Sequence, residues 1–198
     1  MKKIRVYYFD TNNIDINDIK QSMYVFEKNI EKANKFAKEL NQKEHLISDY
    51  FKNKYIGDYH YDENNKPVSD KLFFNISHSY GYVCIGICEY ANIGIDLELI
   101  RDVKSDLIKY VSSIDEFETI KDNVDFYKLW TSKESVVKCT GDGLMKDVKQ
   151  IPGLPLDGLK KYNDTDIYSK IIEVNNLLIS VSVNDTEDFE IELNEEVL

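Results

Sequence analysis

The sequence predicts an α+β architecture, and three observations lead to it. Short β-branched and aromatic runs at residues 4–9, 82–88 and 93–99 have the length and composition of strands. Other stretches repeat apolar residues at steps of three and four, the mark of amphipathic helix. The helical stretches cluster and the strands look hairpin-paired, unlike the one-for-one alternation of a parallel βαβ sheet.

From Asp15, the residues Ile19, Met23, Phe26, Ile30, Ala33, Ala37 and Leu40 keep helical spacing. A second helical stretch carries Leu46, Ile47, Tyr50, Phe51 and Tyr55, and Gly57 ends it. The polar run from Asp62 to Pro67 reads as a turn or loop. Leu72 to Ile76 reads as a short strand, and Asn75 to Gly81 as a polar turn after it. Lys104 to Ile120 is helix-like, with Leu107, Ile108, Val111 and Ile114 as its apolar face. A longer helix is expected from about Asp125 to Thr140, with Gly141 as its stop. The tail from Ile167 alternates and turns at Asn175-Asn176.

The formal net charge of −11 over 198 residues argues against a nucleic-acid partner. No apolar run is long enough to cross a bilayer, and the basic first residues lack a secretory apolar segment. The expectation is a cytoplasmic protein with no membrane partner. Three cysteines make no disulfide framework. Cys84 and Cys88 lie four strand residues apart, about 13 Å, too far to share one metal ion. They read as small buried residues.

Three motifs carry chemistry. In Asp96-Leu97-Glu98 the two carboxylates sit at i and i+2 of a strand and so project to one face. Such a pair is costly in an apolar strand unless a cation neutralises it, and an oxygen-only pair suits magnesium. Read alone, two solvated acids at a strand end are the commoner explanation of so frequent a pattern. In Trp130-Thr131-Ser132-Lys133-Glu134-Ser135-Val136-Val137-Lys138, helical spacing stacks Trp130, Glu134 and Lys138 in one stripe. Glu134 flanked by Lys133 and Lys138 fits a metal–phosphate site, with the ammonium groups meeting phosphate oxygens. A surface helix with a Glu–Lys pair is the plainer alternative. Asn75-Ile76-Ser77-His78-Ser79-Tyr80-Gly81 offers hydroxyls, an imidazole and turn amides to a diphosphate, or is simply structural. A Ser–His hydrolase pair is disfavoured, because sequence neighbours rarely face each other.

In this order and spacing, with Gly141-Asp142-Gly143-Leu144 following, the motifs resemble the 4′-phosphopantetheinyl transferase family, in its Sfp-like, monomeric, two-lobed group. Weaker similarity extends over most of the chain. The resemblance implies transfer of the 4′-phosphopantetheine arm of coenzyme A to a serine of an acyl- or peptidyl-carrier protein, releasing 3′,5′-ADP. It implies two similar lobes, residues 1–102 and 103–198, as a pseudo-dimer with the active site in the cleft between them. It implies Mg²⁺ held by Asp96, Glu98 and Glu134, with Glu134 also as general base. Ser77, His78 and Lys138 would contact the diphosphate, and Lys32 and Lys66 the adenosine 3′-phosphate end. The segment from Ser105 to Phe117 would meet the carrier. The chain departs from the family pattern in two places: Asn65 stands where a glycine precedes Lys66-Pro67, and Glu44-His45 where a basic residue is usual. Two other readings remain, a Mg²⁺-dependent phosphoesterase or nuclease and a non-catalytic coenzyme A-binding protein. The negative charge weighs against the first, and the presence of all three acids against the second.

Overall fold

The computed structural model describes residues 1–63, 66–143 and 147–198. The chain begins with β1 (Lys2–Asp10), whose side chains alternate between two faces. Ile4, Val6 and Tyr8 enter one core, while Tyr7 and Phe9 enter another. Three helices follow: α1 (Ile16–Gln21), α2 (Glu27–Ala33) and α3 (Glu39–Phe51), the last extended by a π-turn at Lys52–Ile56. A two-residue pair, β2 (His60–Tyr61) and β3 (Pro67–Val68), leads into β4 (Phe73–Ser79), β5 (Tyr82–Cys88) and β6 (Ile93–Leu99). Then come α4 (Ser105–Val111), α5 (Ile114–Phe117) and α6 (Asn123–Thr140). The chain closes with β7 (Gly158–Tyr162), β8 (Thr165–Val174), β9 (Leu177–Val183) and β10 (Phe189–Glu195).

The longer strands form two four-stranded sheets, β10-β1-β5-β4 and β6-β9-β8-β7. Their inner faces meet through Val6, Cys84, Ile95, Leu97, Ile179 and Val181. Helices α1–α3 cover the outside of the first sheet, where Ile47 and Phe51 pack on Val83 and Ile85. Helix α6 covers the outside of the second, where Val136 and Val137 pack near Ile167 and Leu178. The result is an α+β stack of helices, sheet, sheet and helix. Cys84, Cys88 and Cys139 are free and buried.

Several expectations need correction. The helical periodicity from Asp15 to Leu40 does not make one helix. Ser22 Oγ accepts from Tyr24 N–H at 3.4 Å and Asn29 Oδ1 from Phe26 N–H at 3.0 Å, so side chains take over from the helical ladder between α1 and α2. Met23 is consequently 78% exposed. The stretch from Lys104 to Ile120 also divides, at Ser113. Its hydroxyl accepts from Glu116 N–H while Glu116 Oε2 accepts from Ser113 N–H, a capping box that starts α5 afresh. Val111 is thereby buried in the core, out of reach of any partner, whereas Leu107 and Ile114 are exposed. The strand expected to stop at Ile76 continues to Ser79, so Ser77 and His78 are strand residues. Only Tyr80 and Gly81, both at positive φ, make the turn. Asn175 turns the β8–β9 hairpin as expected, but β7 and β10 are not anticipated, and β10 pairs with β1 in parallel. Asn64, Asn65 and Leu144 lie outside the described residues.

Candidate active site

The site is built on a seam between two edge strands. β4 is the edge of the first sheet and β6 the edge of the second, and the inner face of β4 lies against β6. Period-two alternation puts Asn75, Ser77 and Ser79 on that face. Asn75 Oδ1 accepts from Ile95 N–H at 3.1 Å, Ser77 Oγ donates to Asp96 Oδ1 at 2.9 Å, and Ser79 Oγ donates to Glu98 Oε2 at 2.6 Å. The same alternation on β6 turns Asp96 and Glu98 toward α6.

The stripe on α6 meets them. Trp130 Nε1 donates to Glu98 Oε1 at 3.1 Å. Lys138 Nζ, two turns on, donates to Asp96 Oδ1 at 2.6 Å and to Ser77 Oγ at 2.9 Å. Glu134 sits one turn from each. The approach of helix to strand is close because Gly94 has no side chain: a Cβ there would stand 2.0 Å from the Ser135 carbonyl oxygen.

Three carboxylates gathered out of water resist ionisation. Burial, then the Asp96 charge, pushes the Glu134 carboxyl up to about 7, against the pull of Lys138. Burial also raises Asp96 and Glu98. Burial alone would lower the Lys138 ammonium, but Asp96 and Glu134 outweigh it and hold the group above its ordinary value. Asp96 Oδ2 and Glu134 Oε1 are buried without a hydrogen-bond partner. Among the described residues no group of three acidic, histidine or cysteine side chains is already arranged around a metal position. Lys138 is the cation that Asp96 holds. Even so, the two unpartnered oxygens and the oxygen-only donor set fit a hard divalent cation.

Beside the acids lies a cavity of about 650 Å³, lined by Asp62, Lys66, Asn75, Glu134, Lys138 and Gly141, among others. Lys66 Nζ donates to the Lys138 carbonyl at 3.2 Å. Ser77, Asp96, Glu98, Glu134 and Lys138 are thus brought together, with Lys66 adjoining. His78 points the other way, off the opposite face of β4, with Nδ1 3.4 Å from Glu44 Oε2. This opposition also removes any Ser77–His78 hydrolytic pair. Lys32 lies on the helical side too, 5.8 Å from the Tyr61 ring. His78, Lys32 and Lys52 all act on His45, whose imidazole burial drives below its usual range.

Lys133 requires correction. It is 1% exposed, with Nζ 2.7 Å from Glu116 Oε2 and donating to the Val148 carbonyl at 3.0 Å, so it meets no phosphate. One residue of helix turns a side chain about 100° away from its neighbour, which separates Lys133 from Glu134. Sequence reasoning missed Asn75, Ser79 and Glu44 as supports. The alternation of polar residues at 75, 77 and 79 was the available signal. For Glu44, burial pushes the carboxyl up, but bonds from His78 and from Gly81 N–H at 2.8 Å overcome it and hold it low. The unusual acid therefore anchors the β4–β5 turn.

Residues 92–181 match the model of the 4′-phosphopantetheinyl transferase superfamily. The 4′-phosphopantetheinyl transferase Sfp of Bacillus subtilis is 36% identical over 106 residues, 48% of this chain and 42% of its own. The 4′-phosphopantetheinyl transferase HetI of Nostoc sp. is 34% identical over 101 residues, 43% of this chain and 42% of its own. A 4′-phosphopantetheinyl transferase of Bacillus pumilus is 32% identical over 90 residues, 41% of this chain and 38% of its own. Each match thus spans about two fifths of the relative's length. The stretch that carries Asp96, Glu98, Glu134 and Lys138 is thus the part of the chain that is similar to 4′-phosphopantetheinyl transferases such as Sfp.

Proposed function

We propose that the protein transfers the 4′-phosphopantetheine arm of coenzyme A to a serine of an acyl- or peptidyl-carrier protein. The observation that carries this reading is that Glu134 and Lys138, the latter bonded to Asp96 and Ser77, line a cavity large enough for a nucleotide-sized ligand. In the reaction the serine oxygen bonds to the β-phosphorus of coenzyme A. The bond from that phosphorus to the bridging oxygen breaks, and 3′,5′-ADP leaves with the electron pair. Glu134, with one unpartnered oxygen and a carboxyl near neutrality, is suited to take the serine proton. Lys138 and Ser77 donate to the diphosphate oxygens, and Lys66 extends the cationic wall toward the nucleotide. Lys32 and His78 bind farther along, on the helical side. Asp96 and Glu134, with Glu98 beside them, would hold Mg²⁺. That ion would neutralise charge developing on the diphosphate.

Two lobes with the ligand between them remain the architecture this reading implies, and two sheets that each carry their own helical cover support it. A division of a monomer's lobes near residue 102 would separate the two helical covers, with β6 and β10 each crossing to the other lobe's sheet. Leu107 and Ile114, exposed on α4 and α5, are apolar contacts available to the carrier. Incubation with coenzyme A, Mg²⁺ and a panel of apo-carriers, read by intact mass, should show one phosphopantetheine added. Asp96→Ala and Glu134→Ala should lose the product while staying folded. Absence of product with every carrier, despite coenzyme A binding, would overturn the reading.

A further inference from the structure

The seam has two ends, and only one of them holds the cavity. From Asn75–Ile95 beside the cavity it runs through Ser77–Asp96 to Ser79–Glu98. Beyond Ser79 the next residue is Tyr80, about 10 Å along the strand from Ser77. Against Tyr80 lies Arg101, its guanidinium carbon 3.6 Å from the ring centroid. That distance is a stacked contact, which fixes the plane of the guanidinium while leaving its N–H edges to in-plane partners. The Tyr127 hydroxyl, on the first half of α6, is a hydrogen-bonding neighbour of the same group.

The carboxylates nearest in sequence are already engaged. Both Glu98 oxygens accept bonds, from Ser79 and Trp130, and Asp102 Oδ1 accepts from Asn123 Nδ2 at 3.1 Å. Arg101 forms no ion pair with a carboxylate among the described residues. A solvent-facing, pre-oriented guanidinium of this kind suits a planar oxyanion. It is also a local positive point on a chain of net charge −11, where an acidic partner gains nothing from long-range attraction.

A two-substrate site with a ligand at one end of the seam must admit its acceptor from the other. On the transferase reading given above, we infer that Arg101, laid on Tyr80, receives a carboxylate side chain of the acceptor protein. That carboxylate lies within about three residues of the modified serine, the reach set by the strand distance. Arg101 acts as a specificity-determining contact, with Tyr80 as the residue that positions it.

The test is carrier kinetics with the full chain. Arg101→Glu should raise the carrier KM roughly tenfold or more, the scale of one charge-assisted contact. Affinity for coenzyme A by calorimetry and the thermal midpoint should stay as in wild type. Tyr80→Ala should give a smaller rise, and Arg101→Lys should rescue only in part. A carrier whose acids within three residues of the serine are neutralised should be insensitive to Arg101→Glu. An unchanged carrier KM in Arg101→Glu, with wild type active, overturns this inference alone. A loss of coenzyme A affinity instead reassigns Arg101 to the nucleotide. No transfer by wild type to any carrier overturns the transferase reading, and this inference with it.

Discussion

Gly94 is where α6 and β6 touch backbone to backbone. A Cβ there would meet the Ser135 carbonyl oxygen at 2.0 Å and Cys139 N at 2.3 Å, and neither is the end of a flexible side chain. A single methyl must therefore push the helix off the strand, carrying Glu134 and Lys138 away from Asp96. Gly94→Ala is expected to cost at least about 3 kcal/mol in urea denaturation, the upper range for overpacking. Gly141 offers a contrast, since its φ is 78° but a methyl added there would meet nothing within 4 Å. Gly141→Ala should cost only the local strain of a left-handed residue, about 1 kcal/mol. Equal costs for the two variants would show that the helix can lift from the strand freely. The glycine in Gly94-Ile95-Asp96 therefore serves the chemistry indirectly, by letting the cation-bearing helix approach.

Between elements, the least ordinary contact is a pair of buried lysines that share one acid. Glu116 on α5 holds Lys133 of α6, and its other oxygen accepts from Gly153 N–H at 3.0 Å. Lys160 on β7 donates to the Gly153 carbonyl at 3.0 Å and to Ser132 Oγ. Burial drives the Lys160 ammonium down to about 7, with Glu116 pulling it up and Lys133 pushing it further down. Unfolded, this lysine holds its proton to about 10.4. Between those values the unfolded chain binds a proton that the folded one has shed, so stability rises with pH from about 7 toward 10. Below about 7 both states are protonated and the cost of burial stands in full. Lys160→Met should remove that rise and melt higher than wild type at pH 6. Parallel pH profiles for the two proteins would place the proton elsewhere. No local pattern announces this hub, because Glu116 and Lys160 come from elements far from Lys133 in sequence. The same limit explains what else was hidden. β5, β6 and α6 were legible because apolar composition or an unbroken helical period defines each one by itself. α1 to α2 and α4 to α5 were not, since their apolar steps run on across breaks made by Ser22, Asn29 and Ser113. The second half of β4 looked like a turn because the partners of Ser77 and Ser79 are Asp96 and Glu98 and not water. Strand and helix periods put Asp96 with Glu98 on one face and Glu134 with Lys138 on one stripe, while the joining of the two into one site was implied only by the family resemblance.

Across the whole molecule, the two sheets do not divide the chain into a first half and a second half. β6 joins the later strands, and β10 returns to the earliest one, placing Phe189 opposite Lys2. Phe189 is fully buried, and just past β10 the Glu196 carboxylate is held by Tyr50, Lys54 and Tyr55, which fastens the tail to α3 and its π-turn. Deleting residues 189–198 should leave an open β1 edge and an uncovered core, giving insoluble protein. Deleting only Val197 and Leu198, which are exposed, should leave the thermal midpoint unchanged. Soluble, cooperatively melting protein after the longer deletion would show that β10 is dispensable. The parallel pairing also sets a timetable during synthesis. β1 can pair with β5 once the ribosome has released residue 88, but its other edge waits for about 100 more residues. At 5–20 residues per second that is a wait of about 5–20 s with a hydrogen-bonding edge uncovered. The nascent chain thus passes through a defined interval in which a chaperone, or another nascent copy, competes with its own last strand.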